Sequence, residues 1–253
     1  MSGSAWLWVS VAAAAVLLVV TMVTARAPHA PVPDEDGYFE RWSDLHGGYE
    51  PRGTVFTGRW LRLVYVLARP LARAGVQPDV LTAWGAVTSL LVVALVQVGD
   101  RWVLLAVAVV VLSGLLDNLD GAVAVLSGRT SRFGYVWDSV VDRVSDVLYV
   151  TALVVLGAPL EVAAVGAGLM MLQEFTRARA GNAGMGEIGV VTVWERPTRV
   201  VVTAVLLLLA GLFPGQSESI ATAGAWAWIG LGLVGFTQLV VVVHRRLTAG
   251  TDG

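Results

Sequence analysis

The chain contains no cysteine and has few charged side chains. The absence of cysteine excludes disulfide bonds and thiolate-bound metal. Charged residues make up 14% of the 253 positions, whereas an average soluble domain has about a quarter. Apolar residues make up 56%, and the mean hydropathy is +0.72. One soluble core could not bury this much apolar surface, so we expect lipid to solvate much of the chain.

Lysine is absent as well, since all 17 basic residues are arginine. We interpret this bias as a property of a GC-rich genome and not of the function. The formal net charge of −2 carries little information, because in a membrane protein the position of each charge matters more than the sum. No nucleic-acid partner is expected.

Long apolar runs dominate the rest of the sequence. A helix needs roughly 20 mostly apolar residues to cross about 30 Å of hydrocarbon. Seven stretches meet this requirement: 5–24, 79–99, 102–126, 134–157, 159–180, 198–214 and 222–243. The sequence therefore predicts an all-α fold, a polytopic membrane helix bundle.

The arginines between these runs predict the orientation. They are frequent in segment 25–78, recur at 129–132 and 177–199, and end at 245–246, while the connections at 158–161 and 213–220 have none. The short loop at 100–101 holds a single arginine. Because the arginine-rich side of a membrane protein faces the cytoplasm, we expect an N-terminus outside and a C-terminus inside a bacterial plasma membrane.

Residues 1–27 have two interpretations. The sequence Ala25-Arg26-Ala27 resembles a signal-peptide cleavage site. However, no basic residue precedes the apolar run, the run is long for a signal peptide, and cleavage would leave the arginine-rich segment 28–78 outside. We therefore expect a retained N-terminal anchor, followed by a six-span catalytic domain at 79–246 and a tail at 247–253.

Segment 28–78 joins the anchor to the second span. It opens with a proline- and acid-rich linker at 28–36, and from Phe56 to Ala74 apolar side chains alternate with arginines. This alternation is typical of an amphipathic helix lying on the cytoplasmic leaflet, with a bend at Pro70. An irregular juxtamembrane loop is the alternative.

Four aspartates lie in two pairs at the expected cytoplasmic ends of consecutive spans. Asp117 and Asp120 are three residues apart, and Asp138 and Asp142 are four apart. Both spacings place two side chains on one helix face, and a short loop makes the helices antiparallel neighbours. An aspartate at the centre of a span costs roughly 2.5–3.5 kcal/mol, and Arg143 is the only adjacent base. Clustered carboxylates suit Mg²⁺, Mn²⁺ or Ca²⁺, so the pattern predicts a divalent metal site.

Small residues accompany the acids. Gly121 follows Asp120, Ala124 is almost one turn further on, and Gly134 precedes Asp138 by four residues. Small residues in membrane helices often serve only helix packing. Beside four aspartates, they favour a lane in which a ligand approaches the backbone.

The segment from Asp117 to Asp142 reads D-N-L-D-G-A-V-A-V-x8-G-Y-V-W-D-S-V-V-D. It resembles the signature of the CDP-alcohol phosphotransferases, D-x2-D-G-x2-A-R-x8-G-x3-D-x3-D, at seven of the eight fixed positions. The exception is Val125, where the family has arginine; Arg129 or Arg132 could supply the missing charge. The resemblance covers the six later spans, at about 55–245.

This resemblance implies an enzyme that uses a CDP-linked donor and releases CMP. It implies that Asp117, Asp120 and Asp138 bind Mg²⁺ or Mn²⁺, and that Asp142 joins this metal site and acts as the catalytic base. It also implies a nucleotide lined by the small residues Gly121, Ala124 and Gly134. A homodimer is common among related enzymes. Asp146 has no role in the signature, and we expect it to pair with an arginine.

Two arginine-rich strings suggest the acceptor. Arg177-Ala-Arg179-Ala and Glu195-Arg196-Pro-Thr-Arg199 resemble K-A-R-A and E-R-P-E-R in the branch that uses inositol phosphate. Arginine suits bidentate phosphate binding, although arginines at cytoplasmic helix ends also serve topology alone. The resemblance implies a phosphorylated polyol acceptor, with inositol phosphate first and glycerol phosphate second, and CDP-diacylglycerol as the membrane-bound lipid donor.

Two other classes remain open on the residues alone. Acids inside a membrane often mark an ion pathway, so a carboxylate-based divalent cation transporter or channel is the main alternative. The aspartates lie near one surface, however, and the other spans offer no acids at mid-depth. A purely structural membrane protein is the third class, and it leaves the aspartate cluster unexplained.

Overall fold

The computed structural model describes residues 3–24, 31–45, 48–185 and 192–249. Regular structure in these ranges is helical throughout, with no β-strand, so the all-α prediction is confirmed. The helices are α1 (Gly3–Thr24), α2 (Glu35–Leu45), α3 (Val55–Arg73), α4 (Pro78–Val98), α5 (Trp102–Ser127), α6 (Arg132–Val155), α7 (Leu160–Asn182), α8 (Arg196–Leu212) and α9 (Ser217–Ala249).

Each predicted apolar stretch corresponds to one helix, namely α1 and α4 to α9. Within the described residues, three helices are long and apolar enough to cross a membrane: Pro78–Val98, Trp102–Ser127 and Pro214–Thr248. A shorter apolar stretch, Val11–Val23, lies in α1. The protein is thus an integral membrane protein, while the number of seven spans stays a prediction.

The chain divides into two compact units. The first comprises Met1–Thr88 and Leu112–Asp142, and the second comprises Ser89–Val111 and Arg143–Gly253. The four predicted metal-binding aspartates belong to the first unit, and the four predicted phosphate-binding arginines belong to the second.

In the first unit, α3 begins where the hydroxyl of Thr54 accepts a hydrogen bond from the backbone N–H of Thr57 at 3.4 Å, a helix N-cap. Helix α3 runs through Pro70 to Arg73 and buries one apolar face, including Leu61 and Val64. The predicted helix is therefore present, and the irregular-loop alternative is wrong for Val55–Arg73.

Helix α2 was not predicted from the sequence. Its start is fixed by Asp34, whose Oδ1 accepts a hydrogen bond from the backbone N–H of Gly37 at 3.0 Å. Glu35 and Asp36 in the first turn favour the helix N-terminus electrostatically. The end of the acid-rich stretch at 28–36, which was predicted to be a linker, therefore caps and begins α2.

The second unit is held together by close helix approach. A Cβ built on Gly166 of α7 would lie 3.1 Å from Cβ of Trp228 in α9, and one on Gly235 of α9 would lie 2.6 Å from Cβ of Trp194. Trp194 and Trp228 are buried and meet edge to face, with ring centroids 5.0 Å apart. Glycine at such contacts lets membrane helices pack closely.

Candidate functional site

Three of the four motif aspartates come together in the first unit. One carboxylate oxygen each of Asp117 on α5 and of Asp138 and Asp142 on α6 lies within 4.8 Å of the others, and all three side chains are half-buried. Oxygen ligands surround Mg²⁺ or Ca²⁺ at about 2.0–2.6 Å, so ligands of one ion can be up to about 5 Å apart. The arrangement fits a shared divalent cation.

Asp120 has a different environment. It is buried, its Oδ2 accepts a hydrogen bond from the hydroxyl of Thr82 on α4 at 2.6 Å, and its Oδ1 accepts one from the backbone N–H of Gly121 at 2.5 Å. Among the described residues, Asp120 is outside the group of three clustered carboxylates. Its predicted role as a metal ligand therefore stays a prediction.

A cavity of about 430 Å³ opens beside these acids. Asp117, Asp120 and Asp138 border it, and so do the three small residues predicted to line a ligand lane, Gly121, Ala124 and Gly134. A Cβ added to Gly121 would meet nothing within 4 Å, while one added to Gly134 would lie 3.0 Å from Oγ of Ser131. Gly121 thus leaves open space beside the carboxylates, as a bound ligand requires, whereas Gly134 permits close packing against Ser131.

Val125, the position at which the sequence departs from the family signature, lies on the wall of the same cavity. Val125 borders the cavity, and so does Arg129, one of the two arginines considered as substitutes. Arg132, the other, is exposed and is not among the residues described as lining the cavity. A third arginine reaches this position from α2: Nη1 of Arg41 lies 3.4 Å from the carbonyl oxygen of Val125.

In the second unit, Arg199 is fully buried and bound to acids. Its Nη1 donates to Oδ2 of Asp146 at 2.6 Å, and its Nη2 donates to Oε1 of Glu174 at 2.5 Å. Nε and Nη2 also donate to the carbonyl oxygen of Trp194. The prediction that Asp146 pairs with an arginine is confirmed. For Arg199 this geometry favours a role in joining helices over one in binding a phosphate.

Arg177 belongs to the same network. Its Nη2 lies 2.6 Å from Oε1 of Glu195, and its Nε lies 3.8 Å from Glu174, which also binds Arg143 at 2.8 Å. We call this group the ion network: Arg143, Asp146, Glu174, Arg177, Glu195 and Arg199. Three cations and three anions balance, which buried charges require.

The other two predicted phosphate-binding arginines differ from this pair. Arg179, in the last turn of α7, is exposed, and Arg196, the first residue of α8, is half-buried. The sequence placed all four arginines in one class, whereas the structure separates the buried Arg199 from the exposed Arg179.

Sequence reasoning missed several of these contacts. Thr82 lies near the start of the predicted span at 79–99 and drew no prediction of its own, because its contact with Asp120 joins residues 38 positions apart. Glu174 did carry a signal, because it is an acid in a predicted span and is three residues before Arg177. Acids in such positions usually have a partner.

The sequence matches the family model described as CDP-alcohol phosphatidyltransferase over residues 76–237. It is 35% identical over 173 residues to an archaetidylinositol phosphate synthase of Aeropyrum pernix, covering 66% of this chain and 76% of the relative. It is 34% identical over 165 residues to a phosphatidylinositol phosphate synthase of Mycolicibacterium smegmatis, covering 60% of this chain and 71% of the relative.

Solved structures give the same result. The chain is similar to the phosphatidylinositol phosphate synthase of Mycobacterium tuberculosis with CDP-DAG bound, with TM-score 0.56 and 26% identity over 72% of this chain and 94% of that chain. It is also similar to that synthase in complex with manganese and citrate, with TM-score 0.57 and 25% identity over 71% of this chain and 88% of that chain.

Proposed function

This chain belongs to the CDP-alcohol phosphatidyltransferase family, a class of metal-dependent membrane enzymes, and on that premise we propose that it transfers a phosphatidyl group from CDP-diacylglycerol to a hydroxyl of inositol phosphate. CMP is the other product. The observation that carries the proposal is the cluster of Asp117, Asp138 and Asp142 beside a cavity whose wall includes Gly121 and Gly134.

The three carboxylates suit a hard divalent cation, Mg²⁺ or Mn²⁺. Asp117, Asp138 and Asp142 would hold it, and Asp120 would join them if its carboxylate also turned toward the ion. A bound ion would neutralise the donor diphosphate and position it for in-line attack. The relative that binds manganese supports this assignment.

Asp142 is the proposed catalytic base. A carboxylate within hydrogen-bond reach of the acceptor hydroxyl can accept its proton. The hydroxyl oxygen forms a bond to the phosphorus that carries the diacylglycerol, the bond from that phosphorus to the CMP oxygen breaks, and CMP leaves with the electron pair. Gly121, Ala124 and Gly134 leave room for the nucleotide.

The acceptor assignment depends on the relatives and the arginine strings. Relatives named for synthesis of phosphatidylinositol phosphate or archaetidylinositol phosphate support inositol phosphate ahead of glycerol phosphate. Arg179 is the better candidate for the acceptor phosphate, because it is exposed, whereas Arg177 and Arg199 bind acids of the ion network. Arg196 stays a candidate on the basis of the sequence.

We place the enzyme in a bacterial plasma membrane, with the aspartates on the cytoplasmic side, the N-terminus outside and the C-terminus inside. Residues 1–27 act as an anchor, 28–78 as a cytoplasmic linker with an interfacial helix, and 79–246 as the catalytic domain. We also propose a homodimer, because related enzymes are commonly homodimers.

One assay tests the activity. Purified protein is mixed with CDP-diacylglycerol, Mg²⁺ or Mn²⁺, and either inositol phosphate, glycerol phosphate or free inositol, and CMP is measured. We expect metal-dependent CMP release with inositol phosphate and little with the other two. Faster release with glycerol phosphate would correct the acceptor, and no release with any acceptor would contradict the function.

The family match favours this enzyme over the cation transporter that the residues alone left open. A transporter would move Mn²⁺ into proteoliposomes without CDP-diacylglycerol, so the same purified protein separates the two classes.

A further inference from the structure

Helices α2 and α3 both precede the matched family region, which begins at residue 76. Nevertheless, α2 is firmly packed. Tyr38 and Phe39 are 1% and 4% exposed, and the Tyr38 ring lies 5.5 Å from the Tyr65 ring on α3. Burial raises the pKa of Tyr38 to about 12, so the phenol stays neutral. Asp36 and Glu35 form ion pairs with Arg52 and Arg62.

The same helix forms part of the cavity wall. Tyr38, Trp42 and Leu45 border the cavity, together with Asp117 and Asp138. The cavity therefore has an aromatic and apolar side, supplied by α2, and an acidic side, supplied by α5 and α6. A ligand in it meets carboxylates that suit a metal-bound phosphate and an indole that suits a flat ring.

Arg41 adds a positive charge next to Trp42. Its guanidinium lies 3.4 Å from the carbonyl oxygen of Val125, which also borders the cavity. Arg41 is exposed and does not itself line the described cavity; its link to the cavity is the contact with Val125. A guanidinium in this position attracts a ligand that carries phosphates.

We propose that α2 recognises the nucleotide of the donor: Trp42 contacts the cytosine base, and Arg41 attracts the diphosphate. Bases stack on aromatic side chains in many nucleotide-binding sites. This inference rests on the proposed function for the identity of the nucleotide. It extends the donor site beyond the family motif, to a helix that precedes the matched region.

Binding of CDP to purified protein in the presence of Mn²⁺, measured by calorimetry, tests the proposal without turnover. Trp42→Leu keeps an apolar side chain but removes the ring, and Trp42→Phe keeps a ring. We expect Trp42→Leu to weaken CDP binding by about 5-fold to 100-fold, the range for loss of one base–aromatic contact. Trp42→Phe should bind within about 3-fold of the unchanged protein, since a ring remains to stack on.

Arg41→Gln tests the charge. We expect weaker CDP binding at low salt and a smaller difference at high salt, because salt screens exposed charges. The matched controls are Glu40→Gln and Asp44→Asn, exposed positions of α2 that are not among the described cavity residues; both should bind CDP as the unchanged protein does. Thermal unfolding of each variant checks that α2 stays folded.

The proposal is overturned if Trp42→Leu binds CDP as tightly as the unchanged protein, or if Trp42→Phe loses as much as Trp42→Leu. If Trp42→Leu weakens CDP binding but the unchanged protein releases no CMP with any acceptor, the proposed function fails while α2 recognition stands. If turnover is normal and the α2 variants keep the unchanged protein's KM for CDP-diacylglycerol, only α2 recognition fails.

Discussion

At the scale of residues, the four motif aspartates share a signature but differ in their surroundings. Asp117, Asp138 and Asp142 bring their oxygens together, whereas Asp120 is buried and accepts a hydrogen bond from Thr82. Helical spacing predicted which side chains share a face, since that depends only on the helix period. It could not predict the Thr82 contact, because that depends on how α4 packs against α5.

Asp142→Asn should abolish most of the activity. The amide keeps the volume but cannot accept the proton of the acceptor hydroxyl, and general-base help is typically worth about 100-fold to 10,000-fold. We expect CMP release to fall by at least about 100-fold. Asp100→Asn is the control, since Asp100 is exposed and has a positive φ of 48° that asparagine tolerates. Full activity in Asp142→Asn would exclude Asp142 as the base.

Thr82→Val should weaken metal binding. The valine has no hydroxyl to donate to Asp120, and loss of a partner that orients a metal-site carboxylate typically costs about 10-fold to 100-fold in affinity. A Mn²⁺ titration monitored by electron paramagnetic resonance measures this. Thr82→Ser should restore the affinity. Thr88→Val removes a buried hydroxyl that bonds only backbone carbonyls in the described contacts and should leave the affinity unchanged. If Thr82→Val binds Mn²⁺ as tightly as the unchanged protein does, Asp120 is not part of the metal site.

At the scale of helices, apolar length predicted α1 and α4 to α9 well, because a membrane span is defined by its own composition. Helix α2 was not predicted from the sequence because it is only 11 residues long and polar overall. Its position depends on Tyr38 and Phe39, which are buried against a core that includes α3 residues. Of the ion network, only the pairing of Asp146 with an arginine was predicted. Arg177 and Arg199 were assigned to an acceptor phosphate, because their closest acidic partners are distant in the sequence.

Arg199→Ala should destabilise the second unit. It leaves Asp146 buried without its nearest cation, and breaking a buried ion pair from one side typically costs about 3–5 kcal/mol. For a chain of this size that corresponds to a melting temperature lower by about 10 °C, measured by thermal unfolding in detergent. Arg179→Ala, an exposed change, should shift it by no more than about 2 °C.

The variants Arg199→Ala and Arg179→Ala also show which of these arginines stabilises the helix packing and which binds the acceptor. If Arg199→Ala leaves the melting temperature unchanged but raises the KM for inositol phosphate, Arg199 binds the acceptor and does not mainly stabilise the packing. A raised KM in Arg179→Ala alone would support Arg179 as an acceptor contact.

At the scale of the whole molecule, exposed apolar side chains are consistent with a lipid environment. Val16 and Leu17 on α1 and Val201 on α8 are each at least 60% exposed, which water would disfavour and lipid permits. Composition alone predicted this property. The side of the membrane on which each helix ends depends on the cell's potential and on insertion, so it is inferred only from arginine position.

Single cysteines can test that orientation, because the natural chain has none and each introduced thiol is a unique label. Ser219 and Thr248 are exposed and lie near opposite ends of α9. We expect a membrane-impermeant maleimide to label Ser219→Cys in intact cells, and Thr248→Cys only after permeabilisation. CMP release by both variants confirms that they are folded. The reverse labelling pattern would contradict the predicted orientation, in which the C-terminus lies in the cytoplasm.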